Sequence, residues 1–261
     1  MRPDRGPRDW DAASYDRVSG PQATWAAAVL DRLDLAGTET VLDAGCGAGR
    51  VTALLLERLP RGRVVAADAA PSMVEQARAA FAAEPRVEVL DPVDLVELEL
   101  DAPVDAVFSN AVLHWVPDHE RLFERLHAAL RPGGRMSVQC GGEGNIAAFH
   151  AVAARVGSET PYADYLGGWR GPWNFASPQE TEPRLGAAGF EEVECWLEPW
   201  PVEPPEPLVY LRTVCLGAHL LELPDQLRDP YAREVIRRCG EPLELDYVRL
   251  NIGARRPVND A

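Results

Sequence analysis

The sequence predicts an α/β fold: a doubly wound, seven-stranded, mostly parallel sheet with an antiparallel last strand and helical cap or lid insertions. Three observations predict it. Short hydrophobic runs, Val41-Leu42-Asp43, Val64-Val65-Ala66-Ala67-Asp68 and Val87-Glu88-Val89-Leu90-Asp91, each end on an acid. Helical patterns over Val51–Leu59 and from Pro71 to Arg78 separate them, giving βαβαβ order and hence parallel strands joined by crossover helices. Between the first strand and its helix, Gly45, Gly47 and Gly49 stand at alternate positions, the pattern of a tight turn opening a helix.

The remaining elements follow in order. Apolar residues between Asp11 and Leu33 recur at helical spacing on either side of Gly20-Pro21, giving two N-terminal helices over 11–33. Val104 to Asn110 reads as the fourth strand and His119 to Leu130 as the helix after it. Pro132-Gly133-Gly134 reads as a turn delivering the fifth strand, Arg135 to Cys140. Gly141 to Ala176 is rich in glycine and aromatic residues and reads as a lid, with a helix over Ile146 to Val156. Ser177 to Ala188 reads as a capped helix closed by Gly189, and Val193 to Leu197 as the sixth strand. A proline-crowded stretch leads to a helical block from Leu208 to Cys239, and Leu245 to Ile252 alternates as an antiparallel seventh strand should. One domain over 1–261 results, with its core sheet in 40–140, 177–200 and 244–256 and its cap in 141–176 and 207–240.

Composition narrows the partners. The 261 residues are 46% hydrophobic, enough for a full core, and the formal net charge is −15. No Lys/Arg run offsets that charge, which argues against nucleic acid and anionic membrane surfaces. Cys46, Cys140, Cys195, Cys215 and Cys239 are scattered without C-x-x-C spacing, as expected of reduced thiols with no metal site. With neither an apolar leader nor a long apolar run, the expected location is the cytoplasm. The sequence leaves the oligomeric state open, and a monomer is compatible with it.

The glycine turn brings bare backbone up to a ligand. A dinucleotide fingerprint, G-x-G-x-x-G, needs glycine where Arg50 stands, and a phosphate-binding P-loop needs a Gly-Lys-Ser/Thr that does not follow. The pattern D-x-G-x-G-x-G from Asp43 to Gly49, with acids ending the next two strands, resembles the class I S-adenosylmethionine-dependent methyltransferases, whose sheet is Rossmann-like. The resemblance implies that Asp68 receives the two ribose hydroxyls, that Asp91 faces the adenine amino group, and that Asp43, Gly45, Gly47 and Gly49 lie against the methionine portion. Carboxylates suit such a ligand: they accept from hydroxyls and amines, and their charge favours a nearby sulfonium or ammonium. One departure stands out. Many relatives donate to adenine from the backbone N–H after the third acid, but Pro92 has none, so either that bond is lost or Asp94 has partly taken over the site.

The stretch Ser109-Asn110-Ala111-Val112-Leu113-His114-Trp115-Val116, followed by Leu130-Arg131-Pro132-Gly133-Gly134 and Gln139, is similar to the trans-aconitate methyltransferase group, with the malonyl-carrier-protein methyltransferases as near relatives. Both methylate carboxylates, so the resemblance implies O-methylation of a small carboxylic acid by S-adenosyl-L-methionine, with S-adenosyl-L-homocysteine as product and no metal. The alternatives are a hydroxyl, carbon or nitrogen acceptor in secondary metabolism, a cofactor-binding module without catalysis, and an NAD-dependent oxidoreductase.

Individual residues have competing readings. Asn110 either contacts the cofactor's methionine end or caps its strand. His114 either serves as a catalytic base toward a hydroxyl or packs beside Trp115 at the rim; a carboxylate acceptor needs no base, being ionised already. Trp115, Trp169, Trp173 and Phe175 line the acceptor pocket or form the lid's own core. Arg170, Arg212 and Arg249 are candidates to clamp an acid, set against the solvated role of most arginines. Tyr15 and Trp25 either close over the cofactor or simply pack their helices.

Overall fold

The computed structural model describes residues 20–204, 206–240 and 242–259, with side chains described from Trp25 onward. The first of the two expected N-terminal helices, and Tyr15 with it, lie outside the described residues. In chain order the elements are α1 (Gly20–Asp31), β1 (Thr40–Ala44), α2 (Arg50–Glu57), β2 (Arg63–Ala67), α3 (Pro71–Ala80), β3 (Val87–Val89), β4 (Val104–Asn110), α4 (His119–Ala129), β5 (Leu130–Gly141), α5 (Ala147–Gly157), α6 (Ala163–Leu166), α7 (Pro178–Ala187), β6 (Glu191–Pro199), α8 (Pro207–Tyr210), α9 (Gly217–Glu222), α10 (Asp225–Cys239) and β7 (Val248–Arg255).

The seven strands form one sheet in the order β3-β2-β1-β4-β5-β7-β6. β1 to β5 are parallel, while β7 runs antiparallel to both β5 and β6. The central strands are buried on both faces, which explains their unbroken apolar runs: Val41, Leu42, Ala106, Val107 and Phe108 are fully enclosed. On one face, Ala26, Val29 and Leu30 of α1 and Leu55 of α2 pack with Val41, Val64 and Phe108. On the other, Leu122, Phe123 and Leu126 of α4 and Leu185 of α7 pack with Leu42, Val107 and Val138. The Ser177–Glu180 capping box starts α7: Glu180 N–H donates to Ser177 Oγ at 3.2 Å, and Ser177 N–H donates to Glu180 Oε2 at 3.0 Å.

The chain order reverses direction across the sheet between β1 and β4, and the site lies outside their carboxyl ends, where open α/β sheets bind ligands. Over that edge sits a second apolar cluster, separate from the sheet core, in which Trp25, Phe149, Val156, Tyr210, Tyr231 and Tyr247 meet. It joins α1, the lid and the C-terminal helices into a cap.

Several boundaries differ from the sequence reading. Leu130 to Gly134 is drawn into β5, because Leu130 pairs with Val104 before a bulge resets the register at Ala106 and Arg135; Gly133, at φ 79, lies within it. The last strand begins at Val248, since Leu245 makes only an isolated bridge to Val202 where Pro201 interrupts the partner strand. β3 stops at Val89, although Leu90 N–H still reaches Ala66 carbonyl oxygen at 3.0 Å, so Asp91 lies two residues beyond the strand. The block from 208 to 239 breaks at a π-turn over Leu211–Cys215 and again before Asp225, where Pro224 precedes α10.

Candidate functional site

The turn after β1 is anchored by one carbonyl. The N–H groups of Gly45 and Cys46 both donate to the Ala67 carbonyl at the end of β2, at 2.8 and 3.0 Å. Gly45, Gly47 and Gly49 have φ of 87, 55 and 91°, a region that side chains disfavour. Their surroundings differ. A Cβ on Gly45 would lie 2.2 Å from Val112, and one on Gly49 2.5 Å from the Phe81 ring, whereas one on Gly47 would enter open space. Packing therefore demands two of the glycines, and Gly47 is the one presenting bare backbone outward.

Asp68 stands over this turn. Its Oδ2 accepts from Gly47 N–H and its Oδ1 from Ala70 N–H, each at 2.9 Å, leaving each oxygen further acceptor capacity for hydroxyl donors. Burial raises its pKa, opposed by backbone donors including Ala70 and Gly47. Asp43 lies beneath, 1% exposed, and Thr52 Oγ1 donates to its Oδ2 at 2.6 Å. Burial pushes the Asp43 carboxyl up to about 7; the Thr52 bond works against this and the Asp68 charge adds to it. A backbone cradle open at Gly47, beside a carboxylate with acceptor capacity and above a buried acid, fits a ligand carrying hydroxyls and positive charge.

Asp91 has a different setting. Its side chain is 91% exposed and paired with Arg78 Nη2 at 2.6 Å, so it is a solvated carboxylate outside the anchored turn. Asp94 caps a short 3-10 turn by accepting from Val96 N–H at 3.2 Å. Pro92 has no N–H to offer, and that of Val93 already donates to the Asp68 carbonyl at 3.0 Å. The backbone here therefore presents no spare donor at either residue.

A second group of residues gathers at the end of β4. Asn110, half-buried, ends the strand opposite Gln139. Ala111 follows at φ 63, held by its N–H bond to the Gln139 carbonyl at 2.7 Å; such backbone strain persists where the surroundings fix it. The 3-10 turn Leu113–Trp115 then carries His114 into the interior. Gly141 N–H donates to His114 Nδ1 at 3.2 Å, so the ring's own hydrogen sits on Nε2. Burial first, then the Arg249 charge and His119, hold the His114 pKa well below its ordinary value. With Nδ1 occupied, the neutral ring offers a donor, which weighs against His114 as a base. It stacks on Phe175 with centroids 5.7 Å apart.

Arg249 of β7 is 2% exposed, its guanidinium 4.5 Å from the centre of the Trp25 ring. His114, Trp115, Asn145, Ala111 and Arg249 line a small cavity of about 50 Å³. Asn145 Oδ1 accepts from Val248 N–H at 3.2 Å, which turns its amide nitrogen to donor duty. A neighbouring cavity of about 400 Å³ is lined by Trp169, Arg170, Trp173 and Phe175 among others, and the two share Asn145, His150, Trp173 and Phe175. In a chain of net charge −15, the charged residues among the described ones lining the two cavities are Arg170 and Arg249, with no carboxylate among them.

The structure thus groups Asp43, Gly45, Gly47, Gly49 and Asp68 in one cradle and Trp115, His114, Trp169, Trp173 and Arg170 around the cavities. Arg212 instead pairs with Asp229 and lines neither cavity. Trp25 forms part of the small cavity's wall. Sequence reasoning missed Asn145, His150 and His219; a histidine within a helical pattern carries no sign of which cavity its helix borders. Among the described residues, no group of three or more His, Cys, Asp or Glu is placed to hold a metal ion, and no helix is long and apolar enough to cross a membrane.

The unequal glycines make a prediction. Gly47→Ala should cost only left-handed strain, about 1–2 kcal/mol, while Gly45→Ala should add overpacking against Val112 of about 1–3 kcal/mol. Thermal unfolding should therefore show the larger drop in midpoint for Gly45→Ala; equal drops would contradict the assignment.

Comparison with known proteins gives these features a family. A methyltransferase domain model matches residues 41–134. Trans-aconitate 2-methyltransferase of Methylobacterium nodulans is 35% identical over 190 residues, 72% of this chain and 67% of the relative. The enzyme of the same name from Variovorax paradoxus is 31% identical over 247 residues, covering 93% of this chain and 94% of the relative. In fold, the chain is similar to Haemonchus contortus phosphoethanolamine N-methyltransferase 2, solved with S-adenosyl-L-methionine, with a TM-score of 0.62 at 18% identity over 94% of this chain and 56% of that one. A relative matched over nearly its full length at such identity settles the family: this chain belongs to the class I S-adenosylmethionine-dependent methyltransferases, within the trans-aconitate 2-methyltransferase group.

Proposed function

We propose that the enzyme methylates a carboxylate oxygen of a small organic acid, held beside the end of β4 by Arg249 and the Nε2–H of His114. The observation that carries this reading is the charge of the walls: among the described residues, an acidic chain lines each cavity with an arginine and with no carboxylate. A buried, stacked guanidinium suits bidentate recognition of a carboxylate and keeps that acid ionised. The relatives named for trans-aconitate methylation support the same acceptor chemistry.

Gly47, Asp68 and Asp43 are the residues proposed to hold the cofactor, Asp68 through its ribose hydroxyls and Asp43 near its charged methionine end. When bound, S-adenosylmethionine supplies an electrophilic methyl group on a sulfonium. That methyl would pass in line to the carboxylate oxygen held by Arg249 and His114, the C–O bond replacing the C–S bond, whose electron pair would stay on sulfur. No proton moves, which agrees with a His114 whose Nδ1 already accepts from Gly141. The protein's part is to align the acid in the chamber, where effective molarity becomes large. The ester formed is neutral and no longer attracted to Arg249, which favours its release.

The hydroxyl alternative would need a proton acceptor at the chamber, and the candidate there is committed as a donor. The non-catalytic alternative is disfavoured by the arginine-lined chamber beside the end of β4.

Two experiments test the assignment. Arg249→Met should raise KM for the acid and lower kcat/KM by about 10- to 100-fold, the range for a charge-assisted hydrogen bond, while calorimetry shows unchanged S-adenosylhomocysteine affinity. Loss of cofactor affinity with unchanged KM would place Arg249 elsewhere in the mechanism. The second concerns Asp43, whose carboxyl rises from the ordinary 3.8 to about 7 in the fold. With a raised folded pKa, its contribution to stability is complete below the ordinary value and is lost as pH rises through about 7. A cationic ligand favours the ionised form, so binding S-adenosylmethionine at pH 7 should release roughly half a proton per site. Calorimetry in buffers of different ionisation enthalpy reads that release, and Asp43→Asn should abolish it. Identical heats in every buffer for the unmodified protein would contradict the role given to Asp43.

A further inference from the structure

The smaller cavity, about 50 Å³, has room for little more than a carboxyl group, yet it opens beside one of about 400 Å³, within the range of about 300–1,000 Å³ typical of small-molecule sites. The larger cavity is a box of rings. Trp173 and Phe175 lie parallel, 6.1 Å apart at 6°, and Trp169 meets Trp173 edge-on at 5.6 Å. His150 sits 4.5 Å from Trp173 and 6.1 Å from His219, and Tyr231 completes the floor. Resting on the carboxylate reading above, we propose that the acceptor is a monocarboxylic acid with an aromatic body: its carboxylate enters the small cavity at Arg249 and His114, and its ring occupies the box between Trp169 and Phe175.

Three features of the walls select this class. Flat faces and exposed edges of neighbouring rings are what an aryl group packs against in offset or edge-on contact. A polycarboxylate would have to place its second and third charges in the box, where Arg170, at the exposed rim, is the cation among the lining residues. The two histidines nearest the junction do not supply more positive charge: burial holds His114 well below its ordinary pKa, and burial takes His150 down to about 4 despite the opposing charge of Asp246. A buried carboxylate without a counter-charge is strongly disfavoured. Aromatic boxes also receive quaternary ammonium groups, but such boxes gain from nearby carboxylates, and here the described residues of each cavity include an arginine and no acid.

The test is a turnover panel with methyl-labelled S-adenosylmethionine: 3-phenylpropanoate and 4-phenylbutanoate against trans-aconitate and tricarballylate, with a trimethylammonium carboxylate, betaine, as a fifth arm. The aryl acids should give kcat/KM at least tenfold above the polycarboxylates and betaine. Ala154→Phe, which places a ring into the box from an exposed helix position, should lower kcat/KM for the aryl acids at least tenfold without altering S-adenosylhomocysteine affinity. Preference for trans-aconitate or betaine, or indifference of aryl-acid turnover to Ala154→Phe, would overturn the aromatic-body proposal and leave carboxylate methylation standing. Turnover of 3-phenylpropanol but of no acid would overturn the carboxylate reading itself, and this proposal with it.

Discussion

The Ala67 carbonyl is the contact on which the site depends. By accepting from both Gly45 and Cys46 it fastens the turn after β1 to the end of β2, and Asp68, the very next residue but one strand away from the turn, then reaches Gly47 with its carboxylate. The arrangement works only because β1 and β2 run side by side in parallel register, with Ala44 opposite Ala67. Side chains at Gly45 and Gly49 are excluded by Val112 and Phe81, so the turn is fixed by packing from both sides and leaves only Gly47 facing outward. A preorganised backbone of this kind spares the ligand the cost of ordering it.

The cradle was legible in the sequence because everything that defines it is local: an acid closing a strand, glycines two residues apart, and the next strand ending on Asp68. Parallel strands and crossover helices followed from the same short-range patterns. The turn Pro132-Gly133-Gly134 was misread because a bulge near Ala106 lets the strand absorb it, and nothing in those three residues reports on β4. Asp91 shows the reverse case. It lies two residues past β3 where Asp68 directly follows β2, and it is exposed and paired with Arg78 of α3, a pairing set by side-chain reach rather than strand order.

The chamber was less legible because its parts meet from distant segments. Whether His114 takes or gives a proton depends on Gly141, at the far end of β5, whose N–H chooses the tautomer. Arg249 was one of three arginine candidates with nothing to separate them until β7 placed it beside the Trp25 ring of α1. The aromatic residues of the lid were visible as composition, but their box forms only where α5, α9 and α10 converge on Trp169 and Trp173. Charge is what gives the chamber its meaning. Among the described residues, the acids that make the chain strongly negative are absent from both cavity walls, so the proposed acceptor would meet arginine there in a negative protein.

Everything proposed for the chamber requires that the methyl group end on a carboxylate oxygen. The most direct measurement is the chemical fate of the label: product made from methyl-labelled S-adenosylmethionine and an accepted acid, treated with mild alkali and examined by mass. A carboxyl ester releases its label as methanol and returns the acid at its original mass. Label that resists alkali and stays on the product, as an ether, amine or carbon-bound methyl would, contradicts it.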